Sequence, residues 1–233
     1  MSVKDRVALV TGGTGALGQA VTLRLLADGA RVFVPWIVEA ERARLEAAAG
    51  RTAAGRLLLE AADVTDAAAL GGLVDTVRAR HGGIDILVAL VGGFVGGSLL
   101  ETDRETWDRM LEVNVTSAFI TARAVVPLMV AAGRGRVVTV GSRAVVPPAG
   151  GFIAYTVAKA GVIAFTQALA QELRGTGVTA NCVLPTTMDT PANRAAMPDG
   201  DRRGWVPVES VADAIAFLVR DEAAHVTGSL LTV

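Results

Sequence analysis

The chain has 233 residues, of which 52% are hydrophobic and 4% aromatic, and its formal net charge is −1. A single cysteine, Cys182, excludes a disulfide framework, His81 and His225 show no metal-ligand spacing, and the balanced charge provides no basic surface for nucleic acid. The apolar stretches are short and interrupted by Gly, Pro or charge, which predicts no membrane segment and indicates a cytoplasmic protein that binds a small molecule.

Short apolar runs alternate with helical patterns along the chain. Strands are predicted over residues 6–10, 31–34, 57–60, 84–91, 136–140, 178–183 and 229–233. Helices are predicted after the first turn as far as residue 28, then over 39–49, 66–80, 104–132 (with a kink or boundary at Pro127), 155–173 and 209–220. This alternation predicts an α/β fold whose doubly wound parallel sheet of about seven strands is flanked by helices. We expect one domain over residues 1–233, with a substrate lid around 186–207.

A glycine-rich turn follows the first predicted strand, where the first helix begins. It reads Thr11-Gly12-Gly13-Thr14-Gly15-Ala16-Leu17-Gly18. Glycines let the backbone approach a pyrophosphate closely, and a helix N-terminus provides amide donors and a favourable dipole. Leu17 is expected to point inward and anchor the helix to the sheet. The turn predicts dinucleotide binding, and the alternative is a tight β–α turn without a ligand.

The end of the second strand leaves the choice between NAD and NADP open. Dinucleotide sites usually place an acid there for the ribose hydroxyls, and this chain has Trp36, with no arginine immediately beside it. Trp36 is expected to cover the adenine or ribose, or to be an ordinary core or surface tryptophan. Asp63 and Val64, after the third strand, are suited to the adenine edge. Asp63 serves equally well as a turn residue before the next helix.

The only tyrosine stands four residues before one of the two lysines. Positions i and i+4 share a face of a helix, so Tyr155 and Lys159 are expected to lie together. An ammonium near a phenol favours the phenolate and lowers the tyrosine pKa from about 10 towards neutral pH. Ser142, just after a predicted strand, is expected to reach the same substrate oxygen. These residues predict a proton-transfer site.

Together these motifs resemble the short-chain dehydrogenase/reductase (SDR) family over essentially the whole chain. The resemblance is carried by the glycine turn, Asp63-Val64, Asn114, Ser142, Tyr155-Thr156-Val157-Ala158-Lys159 and Pro185. It implies a Rossmann-type sheet with strand order 3-2-1-4-5-6-7 and hydride transfer with NAD or NADP. By this resemblance Tyr155 exchanges the proton, and Lys159 binds the nicotinamide ribose and tunes Tyr155. Ser142 positions the substrate, and Asn114 holds a proton-relay water.

The same resemblance implies further contacts and an assembly. Its cofactor contacts fall on Gly12, Thr14, Gly15, Ala16, Leu17, Gly18, Trp36, Asp63, Val64, Gly92, Tyr155, Lys159, Pro185, Thr187 and Met188. It implies a homodimer or homotetramer through the helices around 104–132 and 155–173, which are the family's usual interface. It implies no metal.

A narrower resemblance, to the dihydropteridine reductase branch, comes from the predicted lid. The lid begins Leu184-Pro185-Thr186-Thr187-Met188-Asp189-Thr190-Pro191. The glycine turn from Gly12 to Gly18 and the segment Val91-Gly92-Gly93-Phe94-Val95-Gly96-Gly97 are similar to that branch too. That branch reduces quinonoid dihydropterins, whereas Ser142 and Asn114 are typical of carbonyl-reducing SDRs. The alternatives are a 3-oxoacyl or ketone reductase, a non-catalytic dinucleotide-binding regulatory protein, and an isomerase or dehydratase that uses bound NAD transiently. Ala89-Leu90-Val91-Gly92, in place of the usual Asn-Asn-Ala-Gly, favours the regulatory alternative slightly.

Overall fold

The structure, a computed structural model, describes residues 3–53 and 55–233. The strands in this part of the chain are β1 (Val7–Thr11), β2 (Arg31–Trp36), β3 (Leu57–Ala61), β4 (Ile86–Ala89), β5 (Gly135–Val140), β6 (Val178–Leu184), β7 (Met188–Asp189), β8 (Val206–Pro207) and β9 (Leu230–Thr232). Seven of them form one parallel sheet in the order β3-β2-β1-β4-β5-β6-β9, and β7 pairs with β8. The predicted α/β fold and its strand order are confirmed, with β9 as the seventh strand.

The helices follow the prediction, with small differences at their ends and one larger difference. Within the described residues they are α1 (Ala16–Ala27), α2 (Glu39–Ala49), α3 (Ala67–His81), α4 (Arg104–Leu111), α5 (Ser117–Ala132), α6 (Ile153–Glu172), α7 (Pro191–Ala196) and α8 (Val208–Leu218). A π-helical turn over Glu112–Thr116 separates α4 from α5. Pro127 lies inside α5 and does not end it. Of the kink or boundary predicted at Pro127, the boundary was therefore wrong, and the kink stays a prediction.

Helices cover both faces of the sheet, and the side chains of each central strand alternate between two cores. In β1, Ala8 and Val10 belong to the core beneath α1, α2 and α8. Val7 and Leu9 belong to the core beneath α3, α5 and α6. The pleat of a strand imposes this alternation. Every residue of β1, β4, β5 and β6 is buried, as expected for a parallel sheet covered on both faces. β1 and β4 are almost entirely apolar, whereas β5 and β6 also bury polar side chains: Arg136, Thr139, Thr179 and Asn181.

The strand order reverses between β1 and β4, which are neighbours in the sheet although β2 and β3 lie between them in sequence. Their carboxyl ends are aligned, because Thr11 pairs with Ala89, and Ala89 pairs with Thr139 of β5. Chains that leave this edge pass to opposite faces of the sheet, and the crevice between them is where such sheets bind ligands. The glycine turn, residues 90–97 and Ser142 all follow strands that end here.

Two helical stretches, Arg104–Ala132 and Ile153–Glu172, are long and apolar enough to cross a membrane on length and composition alone. These stretches are longer than the short apolar runs read from the sequence, and the expectation of no membrane segment stays a prediction. In the fold, α5 and α6 bury one face against the sheet through residues such as Val125 and Ala170. Their other faces carry Phe119 and Phe165, whose rings lie 6.4 Å apart, and Phe119 is 44% exposed.

The predicted lid is a folded segment that follows β6. β7 and β8 pair near its two ends, and α7 lies between them. The hydroxyl of Thr190 accepts a hydrogen bond from the backbone N of Asn193 and caps α7. The guanidinium of Arg194 donates to Asp189 at 2.6 and 2.7 Å. Local capping and the ion pairs Arg194–Asp189 and Arg203–Asp201 thus give this segment an ordered conformation.

Candidate active site

The glycine turn lies tightly between β1, α1 and the segment after β4. Gly12 has φ +69°, and a Cβ there would lie 2.9 Å from the backbone N of Val91. A Cβ on Gly18 would collide with the carbonyl oxygen of Gly12. Only glycine is compatible with both positions. Leu17 is buried in the core beneath α1, as the sequence predicts.

The amino end of α1 is suited to an anion. Gly15 is its N-cap, so no side chain occupies the first amides, and the first turn contains no acid. A helix N-terminus without a compensating acid attracts negative charge. Ala16 is exposed at the same point, and Thr14 is buried. The glycine turn, in which a Cβ on Gly12 or Gly18 would fill the space, and the uncapped start of α1 both fit the pyrophosphate of a dinucleotide.

The adenosine side of the crevice is formed by the ends of β2 and β3. Trp36 is partly exposed, its indole N–H is buried without a hydrogen-bond partner among the described residues, and the guanidinium of Arg42 lies 5.6 Å from its ring centroid. Asp63 is exposed, and its Oδ1 accepts hydrogen bonds from the backbone N and hydroxyl of Thr65 at 2.9 and 2.8 Å. Val64 is buried in the core beneath α3. Asp66, and not Asp63, caps α3.

Gly92 brings Lys159 and Asn114 together at the carboxyl edge of the sheet. A Cβ on Gly92 would lie 2.7 Å from Asn114 Oδ1 and 3.2 Å from Lys159 Nζ. Lys159 is buried, and its ammonium donates to the carbonyl oxygen of Val140 at 2.9 Å. A side chain at position 92 would therefore separate the amide from the ammonium.

Asn114 belongs to the π-helical turn between α4 and α5 and is almost completely buried. Its Nδ2 donates to the carbonyl oxygens of Met110 at 2.9 Å and Gly93 at 3.2 Å, and its Oδ1 accepts from the backbone N of Gly93 at 3.3 Å. Single π-helical turns inside α-helices often carry functional residues. These bonds hold the amide against the segment that follows β4.

Tyr155 lies beside Ser142 and two phenylalanines. Burial raises the pKa of Tyr155, and a hydrogen bond with the Ser142 hydroxyl counteracts part of this effect. The ring centroid of Phe94 is 4.9 Å from that of Tyr155, and the ring centroid of Phe152 is 6.1 Å away. Phe94 is 62% exposed. The phenol is therefore bordered by an apolar wall that is open to solvent.

The predicted effect of Lys159 on the pKa of Tyr155 was wrong for this structure. Both residues lie on α6, but the ammonium of Lys159 bonds to Val140. The pKa of Tyr155 is raised by burial instead of being lowered by a cation. Burial also lowers the pKa of Lys159 to about 8. Because the pKa of Tyr155 is raised, its phenol is protonated at neutral pH, as a proton donor must be.

The remaining predicted residues lie where the lid begins. The carbonyl oxygen of Pro185 accepts a hydrogen bond from the backbone N of Arg143 at 2.9 Å, which joins the end of β6 to the Ser142 loop. The carbonyl oxygen of Thr187 accepts from the backbone N of Val206 at 2.9 Å. Met188 packs on the core beneath α1 and α8. In the described part of the chain, no group of three or more His, Cys, Asp or Glu side chains is placed to hold a metal ion.

Sequence reasoning missed several neighbours of the site. Phe94 could have been recognised as an aromatic residue between glycines after the fourth strand. Phe152 directly precedes α6 and contributes to the same wall. Nothing in the sequence indicates that Lys159 bonds to the Val140 carbonyl, or that Glu41 accepts a hydrogen bond from Thr14 at 3.1 Å.

Three features occur together at the carboxyl edge of the sheet. The strand order reverses there, a glycine turn meets the uncapped start of α1, and a buried lysine lies close to a tyrosine and a serine. Together they define a dinucleotide-dependent oxidoreductase. The chain belongs to the short-chain dehydrogenase family, whose family model matches residues 6–200. It is an NAD(P)-dependent enzyme of that family.

Curated relatives cover the whole length of the chain. It is 34% identical to the 3-oxoacyl-[acyl-carrier-protein] reductase FabG of Escherichia coli (strain K12), covering 100% of this chain and 97% of that protein. It is 32% identical to the 2,5-dichloro-2,5-cyclohexadiene-1,4-diol dehydrogenase LinX of Sphingobium indicum (strain B90A), covering 96% and 92%. Among solved structures it resembles gox2181, with a TM-score of 0.91, 27% identity and coverage of 100% of this chain and 95% of that one.

These relatives correct one prediction. The resemblance of the lid and of residues 91–97 to dihydropteridine reductases finds no support in them, since their names describe a 3-oxoacyl reductase and a diol dehydrogenase. The alternative of a general carbonyl-reducing SDR is better supported. Lid sequence follows the shape of a pocket, which explains why it was a poor guide to the reaction.

Proposed function

We propose that this enzyme reduces a ketone carbonyl to a secondary alcohol, and catalyses the reverse oxidation, in the manner of 3-oxoacyl and ketone reductases. The observation that carries the proposal is that Ser142, Tyr155 and the buried Lys159 lie together at the carboxyl edge of the sheet, with the Ser142 hydroxyl near enough to the phenol to affect its pKa. Two hydroxyl groups in this arrangement can both reach one substrate oxygen. Buried Lys159 and Asn114, which meet at Gly92, support it.

In this proposal each side chain acts on the carbonyl oxygen or on its surroundings. Ser142 donates a hydrogen bond to that oxygen, and Tyr155 transfers its proton to it by general-acid catalysis. The bound nicotinamide supplies the hydride that adds to the carbonyl carbon. Lys159 holds the nicotinamide ribose, and Asn114 holds a water that replaces the proton of Tyr155. The raised pKa of Tyr155 keeps the phenol protonated until substrate binds.

The proposed cofactor site runs along the carboxyl edge of the sheet. The turn from Gly12 to Gly18 holds the pyrophosphate, supported by the uncapped start of α1. The ends of β2 and β3 would hold the adenosine, and residues of α6 and the start of the lid would hold the nicotinamide half. The proposed contacts outside the turn are Trp36, Asp63, Val64, Gly92, Tyr155, Lys159, Pro185, Thr187 and Met188.

The apolar wall beside Tyr155 favours a substrate that has an apolar group next to its carbonyl. The rings of Phe94 and Phe152 lie 5.8 Å apart, and both border the phenol. An acyl chain or an alicyclic ring can bury apolar surface there, with a gain of about 25 cal/mol for each Å² removed from water. The names of the FabG and LinX relatives describe these two kinds of substrate.

A cofactor-oxidation assay of the full chain tests the proposal. The panel contains a 3-oxoacyl thioester, a cyclic ketone and a quinonoid dihydropterin, each with NADH and with NADPH. Turnover of the thioester or the ketone is expected. Tyr155→Phe is expected to lower kcat at least 100-fold and to change cofactor Kd much less, because it removes the proton donor but only one of the proposed cofactor contacts. Turnover confined to the dihydropterin, or retained by Tyr155→Phe, would overturn it.

The proposal also includes the organisation of the molecule. The whole chain acts as one NAD(P)-binding domain, the segment 186–207 acts as the substrate lid, and the enzyme works in the cytoplasm. Two or four copies associate through the exposed faces of α5 and α6, where Phe119 and Val157 are 44% and 40% exposed. Light scattering of wild type and of Phe119→Asp tests this assembly, and a wild-type monomer would contradict it.

A further inference from the structure

We propose that Glu41, in the first turn of α2, supplies the ribose-binding carboxylate that the end of β2 lacks, and that it makes the enzyme prefer NAD(H) over NADP(H). In dinucleotide sites a carboxylate accepts hydrogen bonds from the adenosine ribose hydroxyls, whereas a nearby arginine accommodates a 2′-phosphate. Trp36 occupies the usual position of that acid in this chain. The question is therefore which charged group replaces it.

Glu41 is bonded to the glycine turn itself. Its Oε2 accepts a hydrogen bond from the hydroxyl of Thr14 at 3.1 Å. Thr14 directly precedes the N-cap of α1, so the carboxylate lies next to the proposed pyrophosphate site. The side chain of Glu41 is 34% exposed, which leaves it accessible to a ligand while Thr14 is buried. The bond to Thr14 thus fixes a carboxylate where the adenosine ribose leaves the pyrophosphate.

Arg42, the arginine beside Trp36, is already paired with two carboxylates, whereas the more exposed Arg44 makes a longer contact with Glu41. Arg42 bonds to Glu39 at 2.6 Å and to Glu46 at 2.7 Å. Arg44 lies 3.9 Å from Glu41 itself. On α2, three carboxylates therefore face two guanidinium groups. A ribose hydroxyl can donate to Glu41, whereas a 2′-phosphate would meet a like charge.

Binding of a 2′-phosphate by the arginine beside Trp36 would require Arg42 to change partners. Its guanidinium lies over the ring of Trp36, 5.6 Å from the centroid, at the end of β2. To bind a 2′-phosphate it would have to leave both Glu39 and Glu46. A second exposed carboxylate, Asp63, stands at the end of the neighbouring strand. These charges favour the cofactor without the 2′-phosphate.

Direct binding measurements on the full chain test this proposal independently of substrate and turnover. Kd for NADH and NADPH is measured by fluorescence titration for wild type, Glu41→Gln and Glu105→Gln. Glu105 lies in the first turn of α4 and is exposed, so its replacement removes the same charge from an equivalent helix position. Circular dichroism and melting temperature show that each variant is folded.

The wild type is expected to bind NADH at least tenfold more tightly than NADPH, because the 2′-hydroxyl of NADH can donate a hydrogen bond to the charged Glu41 carboxylate and the 2′-phosphate of NADPH cannot. Glu41→Gln should lower this ratio at least fivefold by weakening NADH binding, and Glu105→Gln should leave it unchanged. The proposal is overturned if wild type prefers NADPH or binds neither cofactor, or if folded Glu41→Gln keeps the wild-type ratio. Because no substrate is present, a failure of the proposed carbonyl reduction would leave this result unaffected.

Discussion

Replacing Lys159 with methionine should stabilise the folded chain while destroying its activity. Lys159 is buried, and burial lowers the pKa of its ammonium from 10.5 to about 8. One pKa unit corresponds to about 1.36 kcal/mol, so charging this buried group costs about 3 kcal/mol. Methionine fills a similar volume without charge but loses the hydrogen bond to Val140, worth about 1 kcal/mol. The expected net gain in the free energy of unfolding is about 2 kcal/mol.

The gain should depend on pH in a defined direction. The pKa of Lys159 is lower in the folded chain than in the unfolded chain, so the unfolded chain binds the proton more tightly. The destabilisation by Lys159 is therefore complete below about pH 8 and diminishes as the pH rises towards 10.5. Urea unfolding of wild type and Lys159→Met at about pH 7 and about pH 10 measures this. The advantage of the variant should disappear at the higher pH.

The only other lysine provides a matched control. Lys4 is exposed, so Lys4→Met should change stability little and equally at both pH values. Either of two results would refute the claim that the buried charge of Lys159 destabilises the folded chain. One is that Lys159→Met is no more stable than wild type at pH 7, and the other is that it keeps the same advantage at pH 10. Retained turnover of Lys159→Met would refute the role proposed for Lys159 in binding the nicotinamide ribose.

Three further predictions concern the cofactor site and its supports. Gly18→Ala should weaken binding of both cofactors at least tenfold and lower stability by about 1 to 3 kcal/mol, because its Cβ would collide with Gly12; wild-type affinity in a titration would contradict this. Gly71→Ala, on α3 where a Cβ meets no atom within 4 Å, should instead raise stability by about 0.5 to 1 kcal/mol in urea unfolding, and a loss would be inconsistent with open space there. Asp66→Ala removes the cap of α3 and should cost about 1 kcal/mol without changing cofactor Kd, whereas weakened cofactor binding would show that the end of β3 depends on this cap.

The fold was predictable because its periodic signals are long. Buried strands such as Ile86–Ala89 have no polar face to confuse with a surface helix, and most helices end near glycine or charge. The division at Glu112–Thr116 was not predictable, since its residues EVNVT do not distinguish a π-helical turn from a weak stretch of α-helix. The proline inside α5 was misleading, because its effect depends on whether neighbouring groups satisfy the freed carbonyl.

The candidate site was predictable in its members but not in its contacts. A rare tyrosine and a rare lysine at helical spacing identify α6 without any structure. The direction of an ammonium depends on which carbonyl lies within reach, and Lys159 bonds to Val140 on a strand 19 residues earlier in the chain. Glu41 was missed for the same reason, since only the folded chain brings α2 back to Thr14.

Because the side chains of β1 alternate between the two cores, the packing of both cores fixes the position of the carboxyl edge of the sheet, where the candidate active site lies. One residue inserted into this strand would move Ala8 and Val10 to the face now occupied by Val7 and Leu9, and vice versa. It would also push the glycine turn about 3.3 Å beyond the end of the sheet. Insertions and deletions should therefore accumulate in segments such as the lid during divergence, while the length of β1 is constrained by packing on two faces as well as by chemistry.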